Sequence, residues 1–554
     1  MTELHLCVGQ PRFADSDLAA VAAREGAPSA WRQAFEMYGA SAPARVSGDF
    51  AVGMELADGR TFLAIDRFAI QTLCYRIAGG RLQFARRADA LTDAGVELDP
   101  QAIFDYLYFH VIPSPRTIFK GVVRLPPAHC AFFENGQLTV APYWTPTFDE
   151  HRGESFADLR EEFLRIVREA VNSRLEQGKT GCFLSGGTDS STVAGMVTSI
   201  TGQPAETYSI GFDVPGYDEM EYAHIAVRHF GTSHHEYYVT PDDLVAGMPM
   251  VAASYDQPFG NSSAVPAYYC ALKAKQDGID TLLAGDGGDE LFGGNTRYAK
   301  QRVFGIYDAL PAFLRKGLAE PLTDSGLFDP VPLLKKGASY VRQARVPMPD
   351  RMQSYNLLMR MGLDQVFTAG FLGQVDAAEP ERHQREVYAA CPPASLVNKM
   401  LAYDWRYTLA ENDLPKVIGS ARLANVSVGF PLLDDRLLDF SLKLPTSYKL
   451  KGFKLRWFFK EALRGFLPDE ILTKKKHGFG LPFGPWAVSH APLRKLAADS
   501  LHSLAARGVV RTEFIDALLN EHLPAYPGFY GELVWIMTML EQWLRVHAPA
   551  HRAD

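Results

Sequence analysis

Residues 181–193, GCFLSGGTDSSTV, decide the fold, because a short apolar run there meets a loop of glycines and hydroxyl-bearing residues. Cys182 to Leu184 is typical of a buried strand, and a helix is predicted from about Thr192. The loop between them, SGGTDSS (185–191), offers backbone N–H groups, serine hydroxyls and the positive end of a helix dipole, all of which bind phosphate. No Gly-Lys-Ser/Thr follows, so γ-phosphate transfer is not indicated. For such a loop taken alone, a tight glycine-rich turn with a serine cap is the alternative.

A second loop with chemical character, GDGGDE (285–290), follows the apolar run from Thr281 to Ala284. Its three acids repel one another unless a cation sits among them. Ligands of an open parallel sheet gather at the carboxyl ends of its strands, so the two loops are expected to face one site. A solvated acidic turn is the alternative.

The pattern changes along the chain and predicts an α/β protein of two domains, residues 1–145 and 155–554. The first has short strand-like runs broken by Gly, Asp and Asn turns, and little helical periodicity. The polar stretch TPTFDEHRGE (145–154) predicts a linker. An amphipathic helix then begins at a capping box of Ser155 and Asp158, and short apolar runs alternate with helices as in a parallel sheet. After about Lys300 the pattern is mainly helical.

The composition excludes several classes of protein. In 554 residues, 56 Lys+Arg against 64 Asp+Glu give a net charge of −8, which argues against coating nucleic acid or an anionic membrane. No window is apolar enough for a membrane helix, and the first residues lack the basic start of a secretory signal, so a cytoplasmic protein is expected. The six cysteines form no Cys-x-x-Cys pair, which favours reduced, mostly buried thiols.

The motifs together resemble a known family. The SGGTDSS loop resembles the PP-loop of N-type ATP pyrophosphatases, and GDGGDELFGG (285–294) resembles the second signature of the asparagine synthetase superfamily. Further matches follow in order along the chain: SGDFA (47–51), AIDRFAIQTLCYR (64–76), PRTIFK (115–120), YDQPFGNSSAVP (255–266), DLPKV (413–417), PLLD (431–434) and KKKHGFGLPFGPW (474–486). The resemblance implies an N-terminal glutaminase-like sandwich domain of Ntn-hydrolase type and a C-terminal adenylating PP-loop domain, a parallel sheet with a helical extension.

The same resemblance implies a set of site residues. The nucleotide would be held by Leu184, Ser185, Gly186, Gly187, Asp189, Ser190, Ile210 and Gly285, with Leu184 and Ile210 beside the adenine. Asp189 and Asp289 would bind Mg²⁺. Lys476 would neutralise charge on the leaving pyrophosphate and the adenylate. Its alternative is a surface basic run shared with Lys474 and Lys475. Asp286 lies where relatives carry an acid or a tyrosine near the reacting amine, which makes it a candidate base.

The N-terminus departs from the family pattern. Working glutaminases of this type begin Met-Cys, whereas this chain begins Met1-Thr2-Glu3, and the NGEIYN-like and RGPD-like stretches that bind glutamine are absent from residues 10–45. Cys7 falls inside a predicted strand, which favours a packing role. The first domain is therefore expected to have kept its scaffold and lost glutaminase activity.

A second departure lies in residues 416–431. Ile418, Gly419, Ser427 and Gly429 stand where asparagine synthetases typically carry Asp, Arg, Glu and Arg. Two interpretations stay open: a substrate wall altered for something larger or less charged, or a structural ion-pair network replaced by packing.

These departures favour an ATP-dependent ligase that adenylates a carboxylate, releases AMP and pyrophosphate, and uses an amine carried by the substrate. Within the superfamily this is most like lasso-peptide macrocyclases and β-lactam synthetases, with a peptide substrate, a macrolactam product and a partner peptidase. A β-lactam synthetase is expected to carry tyrosine in the role given to Asp286, which favours the macrocyclase. An ammonia-dependent asparagine synthetase and a non-catalytic scaffold are the alternatives. No nucleic acid or membrane partner is expected.

Overall fold

A computed structural model describes residues 3–56, 58–93, 96–150, 153–175, 178–308, 311–315, 320–321, 332–353, 356–474 and 480–553. The chain is an α/β protein of two domains, as predicted: a β-rich sandwich comes first, and a parallel-sheet domain with many helices follows. None of the described helices combines the length and apolar character needed to cross a bilayer.

The N-terminal domain is built on two antiparallel sheets. Its strands are β1 Glu3–Gly9, β2 Arg12–Phe13, β3 Val46–Ser47, β4 Phe50–Glu55, β5 Thr61–Ile65, β6 Cys74–Ala78, β7 Arg81–Ala85, β8 Val123–Arg124, β9 His129–Glu134 and β10 Gln137–Pro142. The five-stranded sheet has the order β1-β4-β5-β9-β10, and the three-stranded sheet has the order β7-β6-β8. They pack face to face through a core that includes Leu63, Leu82 and Phe133. Both faces of β4 and β5 are covered, so their sequences are nearly continuous apolar runs.

Helices in this domain correct the expectation that it has little helical structure. They are α1 Ser16–Glu25, α2 Ala27–Tyr38 and α3 Pro100–Phe109. The first two cover the outer face of the five-stranded sheet, where Trp31 packs 5.0 Å from the ring of Phe50. Few positions of α1 and α2 are buried, Leu18 in the first and Ala30, Trp31 and Ala34 in the second, so neither helix forms a long apolar run.

Helix α3 lies apart from the sandwich and packs into the core of the other domain. Tyr106 donates a hydrogen bond to the carbonyl of Ile536, 430 positions away. Ile103 and Phe104 are fully buried in the same cluster as the last long helix of the chain. The proposed division at residues 145–155 therefore stays a prediction, because this segment of the first domain completes the second core.

The C-terminal domain is centred on one parallel sheet. Its strands are β11 Thr180–Phe183, β12 Glu206–Gly211, β13 Ser233–Tyr238, β14 Thr281–Leu283 and β15 Ser427–Gly429, in the order β13-β12-β11-β14-β15. A separate two-stranded ribbon consists of β16 Leu450–Lys451 and β17 Lys454–Leu455. The predicted capping box is present, because Ser155 Oγ accepts from Asp158 N and Asp158 accepts from the backbone of Ser155. All described pairings within the five-stranded sheet are parallel, so the loops after β11, β12 and β14 open at one edge.

Helices cover this sheet and form the extension after it. They are α4 Phe156–Asn172, α5 Thr188–Thr201, α6 Met220–Phe230, α7 Pro241–Ser254, α8 Ala264–Gln276, α9 Gly288–Phe292, α10 Thr296–Asp308, α11 Ala312–Leu314, α12 Pro332–Ala344, α13 Leu357–Met361, α14 Leu363–Val366, α15 Ala369–Leu372, α16 Glu379–Ala390, α17 Leu396–Asp404, α18 Leu414–Leu423, α19 Asp435–Lys443, α20 Thr446–Lys449, α21 Trp457–Ala462, α22 Asp469–Thr473, α23 Phe483–Ser489, α24 Ala491–Ala506, α25 Thr512–Ala517, α26 Leu523–Ala525 and α27 Pro527–His547. The helical extension predicted after Lys300 is confirmed.

Charged contacts join the two domains. Arg67 of the first domain lies 2.6 Å from Asp435 of the second, and Arg12 lies 2.9 Å from Asp434. In the reverse sense, Arg174 of the second domain lies 2.9 Å from Asp49. The SGDFA and PLLD motifs therefore supply acids that fix the domains to each other.

The linker is also held against the second domain. The rings of Trp144 and Phe148 lie 6.5 and 5.7 Å from that of Trp405, and Asp149 N donates to the carbonyl of Leu442. The polar composition of residues 145–154 gave no sign of this packing, and the linker stays a prediction.

Candidate active site

A cavity of about 370 Å³ opens at the carboxyl ends of β11, β12 and β14. Both predicted loops line it, and Leu184, Ile210 and Met220 form its apolar part. The structure thus brings together every described residue of the predicted site; Gly186 lies just behind the lining. A larger cavity of about 730 Å³ lies between the two domains, but none of the predicted site residues lines it.

The first loop has the form expected for binding phosphate. Ser185 Oγ and Ser190 Oγ lie 3.1 Å apart, and Ser190 Oγ accepts a hydrogen bond from Ser185 N. Gly187 is extended and caps α5, which begins at Thr188, four residues before the predicted start. The prediction took the hydroxyl-rich stretch as loop, but its side chains are compatible with a first helical turn. The N-terminus of α5 therefore faces the cavity, because Gly187, Asp189 and Ser190 all line it.

Gly186 is required by its surroundings. Its φ is +67°, and a Cβ there would lie 2.3 Å from the backbone nitrogen of Ala223 at the start of α6. Any side chain would force the loop and α6 apart. The glycine thus keeps the phosphate loop tight against the helix that forms the far wall of the cavity.

The acidic loop packs directly on the first loop. A Cβ at Gly285 would lie 2.6 Å from Ser190 N, and one at Gly288 would lie 2.1 Å from Asp189 Oδ1. Glycine is needed because two backbones meet here. The two loops predicted to face one site are in contact.

A buried arginine, Arg456, joins the two predicted metal ligands. Its Nη1 donates to both carboxylate oxygens of Asp189, at 2.7 and 2.5 Å, and lies 2.6 Å from Asp289 Oδ1. Its Nη2 donates to Thr188 Oγ1. Burial alone would lower the pKa of Arg456, but Asp189 and Asp289 outweigh burial and raise it. The guanidinium supplies the positive charge that two neighbouring carboxylates require.

Arg456 was not among the predicted site residues. It follows the short strand β17, far from both loops in sequence, and has the left-handed backbone φ of +49°. No glycine-rich or acidic pattern marks the position.

The donor set fits a magnesium ion. Asp189 and Asp289 present carboxylate oxygens to one cationic atom, Nη1 of Arg456, and oxygen ligands of this kind suit Mg²⁺. Gly288 and Gly294 leave the space around these carboxylates free of side chains, because a Cβ at either would lie 2.1 Å or less from an aspartate oxygen. These two aspartates would hold the ion.

A second charged group lies on the other side of the cavity. Lys416 Nζ is 3.7 Å from Asp286 Oδ1 and 3.2 Å from Asp413 Oδ1. Burial raises the pKa of Asp286 above its ordinary value, and Lys416 partly opposes this. The flanking carboxylates outweigh burial at Lys416 and raise its pKa, which keeps it charged. Lys416 belongs to the DLPKV motif (413–417), and this motif was the available sequence signal for its place in the site.

Lys476 lies outside the described residues, so its predicted role stays a prediction. Lys474, two positions earlier, lies 3.1 Å from Glu219 Oε2 and 4.2 Å from the ring centre of Tyr222. Glu219 lines the cavity. Lys474, the first residue of this basic run, thus lies at the rim of the site.

The substituted wall at 418–429 does not line this cavity. Ile418 and Gly419 border a small separate cavity at the domain interface. A Cβ at Gly419 would lie 2.5 Å from the ring of Tyr255, and one at Gly429 would lie 2.8 Å from Leu283. Ser427 lies at the start of β15, the end of the strand opposite the site. Of the two interpretations of these substitutions, an altered substrate wall or an ion-pair network replaced by packing, the structure favours replacement by packing.

The N-terminal domain presents no thiolate at Cys7. This residue lies in β1 opposite Val52, and burial raises the pKa of its thiol to about 11. Thr2 lies outside the described residues. A packing role for Cys7, as predicted, agrees with its place beside the α1–α2 core.

The fold and the two loops define a class: proteins that join a glutaminase-type domain to a parallel-sheet domain with a pyrophosphate-binding loop. A family model described as "Glutamine amidotransferase domain" matches residues 31–144. The model described as "Asparagine synthase" matches residues 162–545, more than half of the chain, and the chain belongs to that family. Membership implies an ATP-dependent ligase that forms amide bonds.

Curated relatives are similar to most of the chain at low identity. The chain is 24% identical over 496 residues to the glutamine-hydrolyzing asparagine synthetase 1 of Bacillus subtilis (strain 168), covering 87% of this chain and 74% of that protein. It is 23% identical over 521 residues to Amidase chry2 of Gibberella zeae, covering 84% and 74%. The solved structure of NMN synthetase from Francisella tularensis aligns with a TM-score of 0.21 and 14% identity, covering 46% of this chain and 94% of that one.

Proposed function

We propose that the protein is an AMP-forming, magnesium-dependent ligase that adenylates a carboxylate and joins it to an amine of the same substrate, closing a peptide into a macrolactam. The observation that supports the adenylation is the contact between the two loops, which directs helix N–H groups, hydroxyls and two carboxylates at one cavity. The amine source is inferred from residues 10–45, which lack the NGEIYN-like and RGPD-like stretches that bind glutamine.

The phosphate loop holds the part of ATP that leaves. Gly187 N and the first N–H groups of α5 donate to the β- and γ-phosphates, and the hydroxyls of Ser185 and Ser190 add two donors. Bound magnesium supplies charge neutralisation on the pyrophosphate. Leu184 and Ile210 contact the adenine through apolar surface. The substrate carboxylate attacks the α-phosphorus, and pyrophosphate departs into the loop.

Asp286 takes up the proton in the second step. The amine nitrogen attacks the carbonyl carbon of the acyl adenylate, AMP leaves with the bonding pair, and the nitrogen loses one proton to the Asp286 carboxylate. The raised pKa that burial gives Asp286 makes it a stronger base than an ordinary aspartate. Lys416 keeps Asp286 ionised, because a protonated carboxyl would lose the ion pair.

A tethered amine fits the missing glutamine-binding stretches of residues 10–45. An enzyme that does not bind glutamine does not release ammonia from it, and free ammonia near neutral pH is mostly ammonium, which has no lone pair. An amine on the same molecule gains effective concentration, a gain of several kcal/mol in well-oriented intramolecular reactions.

The test follows the products. The protein is incubated with ATP, Mg²⁺ and a leader-processed candidate peptide, and the nucleotides and the peptide mass are measured. The proposal expects AMP with pyrophosphate, loss of one water from the peptide, and no glutamate released from glutamine. Accumulation of ADP would refute the adenylation. As a matched pair, Asp286→Asn should abolish ring closure, whereas Asp280→Asn on the exposed edge of the sheet should leave it intact.

An ammonia-dependent asparagine synthetase is the second candidate. The similarity to the Bacillus subtilis relative over 87% of this chain favours it. The same reaction mixture with aspartate and ammonium in place of the peptide separates the two. Asparagine formed without any peptide activity would establish the second candidate and overturn the macrolactam proposal.

A further inference from the structure

We propose that His224, His234 and Glu236 form a binding site for a transition-metal ion, Zn²⁺ above all, on the outer edge of the parallel sheet. His224 lies on α6, and the other two lie on β13, the edge strand. Their nearest nitrogen and oxygen atoms all lie within 4.8 Å of one another. This cluster is separate from the nucleotide cavity and has a different donor chemistry.

The strongest evidence is the orientation of His234. Its side chain is only 7% exposed, and Nε2 is buried without a hydrogen-bond partner. At the other ring nitrogen, Nδ1 lies 2.9 Å from Thr207 Oγ1. In the tautomer that carries its proton on Nδ1, His234 donates to Thr207 Oγ1, and the hydroxyl hydrogen of Thr207 goes to a neighbouring oxygen such as the carbonyl of Ser233. The lone pair of this tautomer is on Nε2, facing the cluster, as in metal-binding histidines whose other nitrogen is held by the protein.

The distances suit a tetrahedral ion after a small movement. Ligand bonds of about 2.0–2.1 Å place two ligand atoms about 3.3 Å apart. His234 Nε2 and Glu236 Oε1 are 3.5 Å apart, close to that value. His224 Nε2 is 2.5 Å from the same oxygen and must move outward. Its side chain is 41% exposed, so this movement meets little packing.

Chemistry distinguishes this site from the magnesium site. Two imidazoles and one carboxylate favour Zn²⁺ and its neighbours in the transition series, whereas the two aspartates of the nucleotide cavity favour Mg²⁺. Three protein ligands also leave one position for water. The ion would tie α6 to the edge strand.

The position of α6 gives the ion a consequence. Ala223, directly before His224, is the residue whose backbone abuts Gly186 of the phosphate loop. Met220 and Ala223 line the nucleotide cavity. A metal that fixes α6 therefore stabilises the wall against which the phosphate loop packs. Zn²⁺ should increase the affinity for ATP modestly, and ATP should still bind without it.

The experiment measures metal binding on the full chain, independent of ligase activity. Metal-stripped protein is titrated with Zn²⁺ in excess Mg²⁺, which occupies oxygen-ligand sites, and bound zinc is counted after dialysis. Co²⁺ substitution gives a second readout, because tetrahedral Co²⁺ absorbs strongly in the visible range. One equivalent of zinc, with an upward shift in melting temperature, is expected.

Matched variants assign the ion to its ligands. His224→Gln, at a half-exposed position, should remove the zinc and the cobalt spectrum without unfolding the protein. His229→Gln, an exposed histidine on the same helix, should keep both. Asp289→Asn, in the nucleotide cavity, should also keep both. Zinc retained by His224→Gln, or lost in Asp289→Asn, would overturn the proposal, as would a wild-type protein that binds none.

Discussion

Replacing Arg456 with alanine should destabilise the protein when magnesium is absent and much less when it is present. The guanidinium is 9% exposed and contacts Asp189 and Asp289, each 19% exposed. Removing one partner of a buried ion pair typically costs about 3–5 kcal/mol, because the remaining charge is left buried. The partial exposure of the two carboxylates places the expected loss near the lower end, about 3 kcal/mol.

Magnesium should restore stability in this variant. An ion held by Asp189 and Asp289 supplies the charge that Arg456 supplied, and a ligand that binds only the folded state raises its free energy of unfolding. The assay is urea-induced unfolding of wild type and Arg456→Ala, with and without Mg²⁺. The midpoint of the variant should fall in the absence of the ion and recover toward wild type in its presence.

A surface arginine provides the control. Arg464 is 49% exposed and pairs with Glu461 and Asp469, so Arg464→Ala should change stability by no more than about 0.5 kcal/mol. Magnesium should not affect this control. If Arg456→Ala unfolds at the wild-type urea concentration, or if Mg²⁺ shifts wild type and variant equally, the two aspartates do not form a cation site centred on Arg456.

Three further predictions concern the site and the pH dependence of stability. Lys416→Met removes the positive charge that opposes the effect of burial on Asp286, so the pKa of Asp286 should rise. The acid limb of the pH profile of kcat should then move to higher pH. An acid limb that does not move would exclude Asp286 as the base. Gly186→Ala should abolish ATP binding measured by calorimetry, because its Cβ would lie 2.3 Å from Ala223 N, and unchanged affinity would contradict the tight loop. Burial lowers the pKa of Lys449 to about 7. The folded state then binds fewer protons than the unfolded chain between about pH 7 and pH 10.4, so stability should rise with pH in that window. Lys449→Met should flatten this rise in melting temperature, and equal slopes for both proteins would refute it.

The sequence predicted the fold where local signals agreed with tertiary packing. The capping box at Ser155 and the apolar runs of the parallel sheet are short-range patterns, and the structure has them. Helices α1 and α2 are amphipathic, so their helical period was an available signal that the prediction did not use. The docking of α3 into the second core depends on contacts hundreds of residues away, which no local window contains.

The site residues, too, were predicted where the sequence signal was local and missed where it was not. Ser185, Asp189 and Asp289 belong to glycine-rich motifs whose composition signals chemistry, and the structure brings them together. Arg456 reaches them from β17 through long-range folding, and an isolated arginine carries no pattern. The substitutions at 418–429 were ambiguous in sequence. The loss of a charged residue reads the same whether that residue lined a pocket or made a packing contact, and only the structure distinguishes the two.

The burial of α3 sets an order for folding as the chain is synthesised. Tyr106 leaves the ribosome more than 400 residues before its partner Ile536, and the helix that contains Ile536 is the last long helix of the chain. Until that helix emerges, the apolar face of α3 stays without its final cover. Truncations that keep the sandwich but remove the C-terminal helices should therefore aggregate, and their recovery should depend on chaperones.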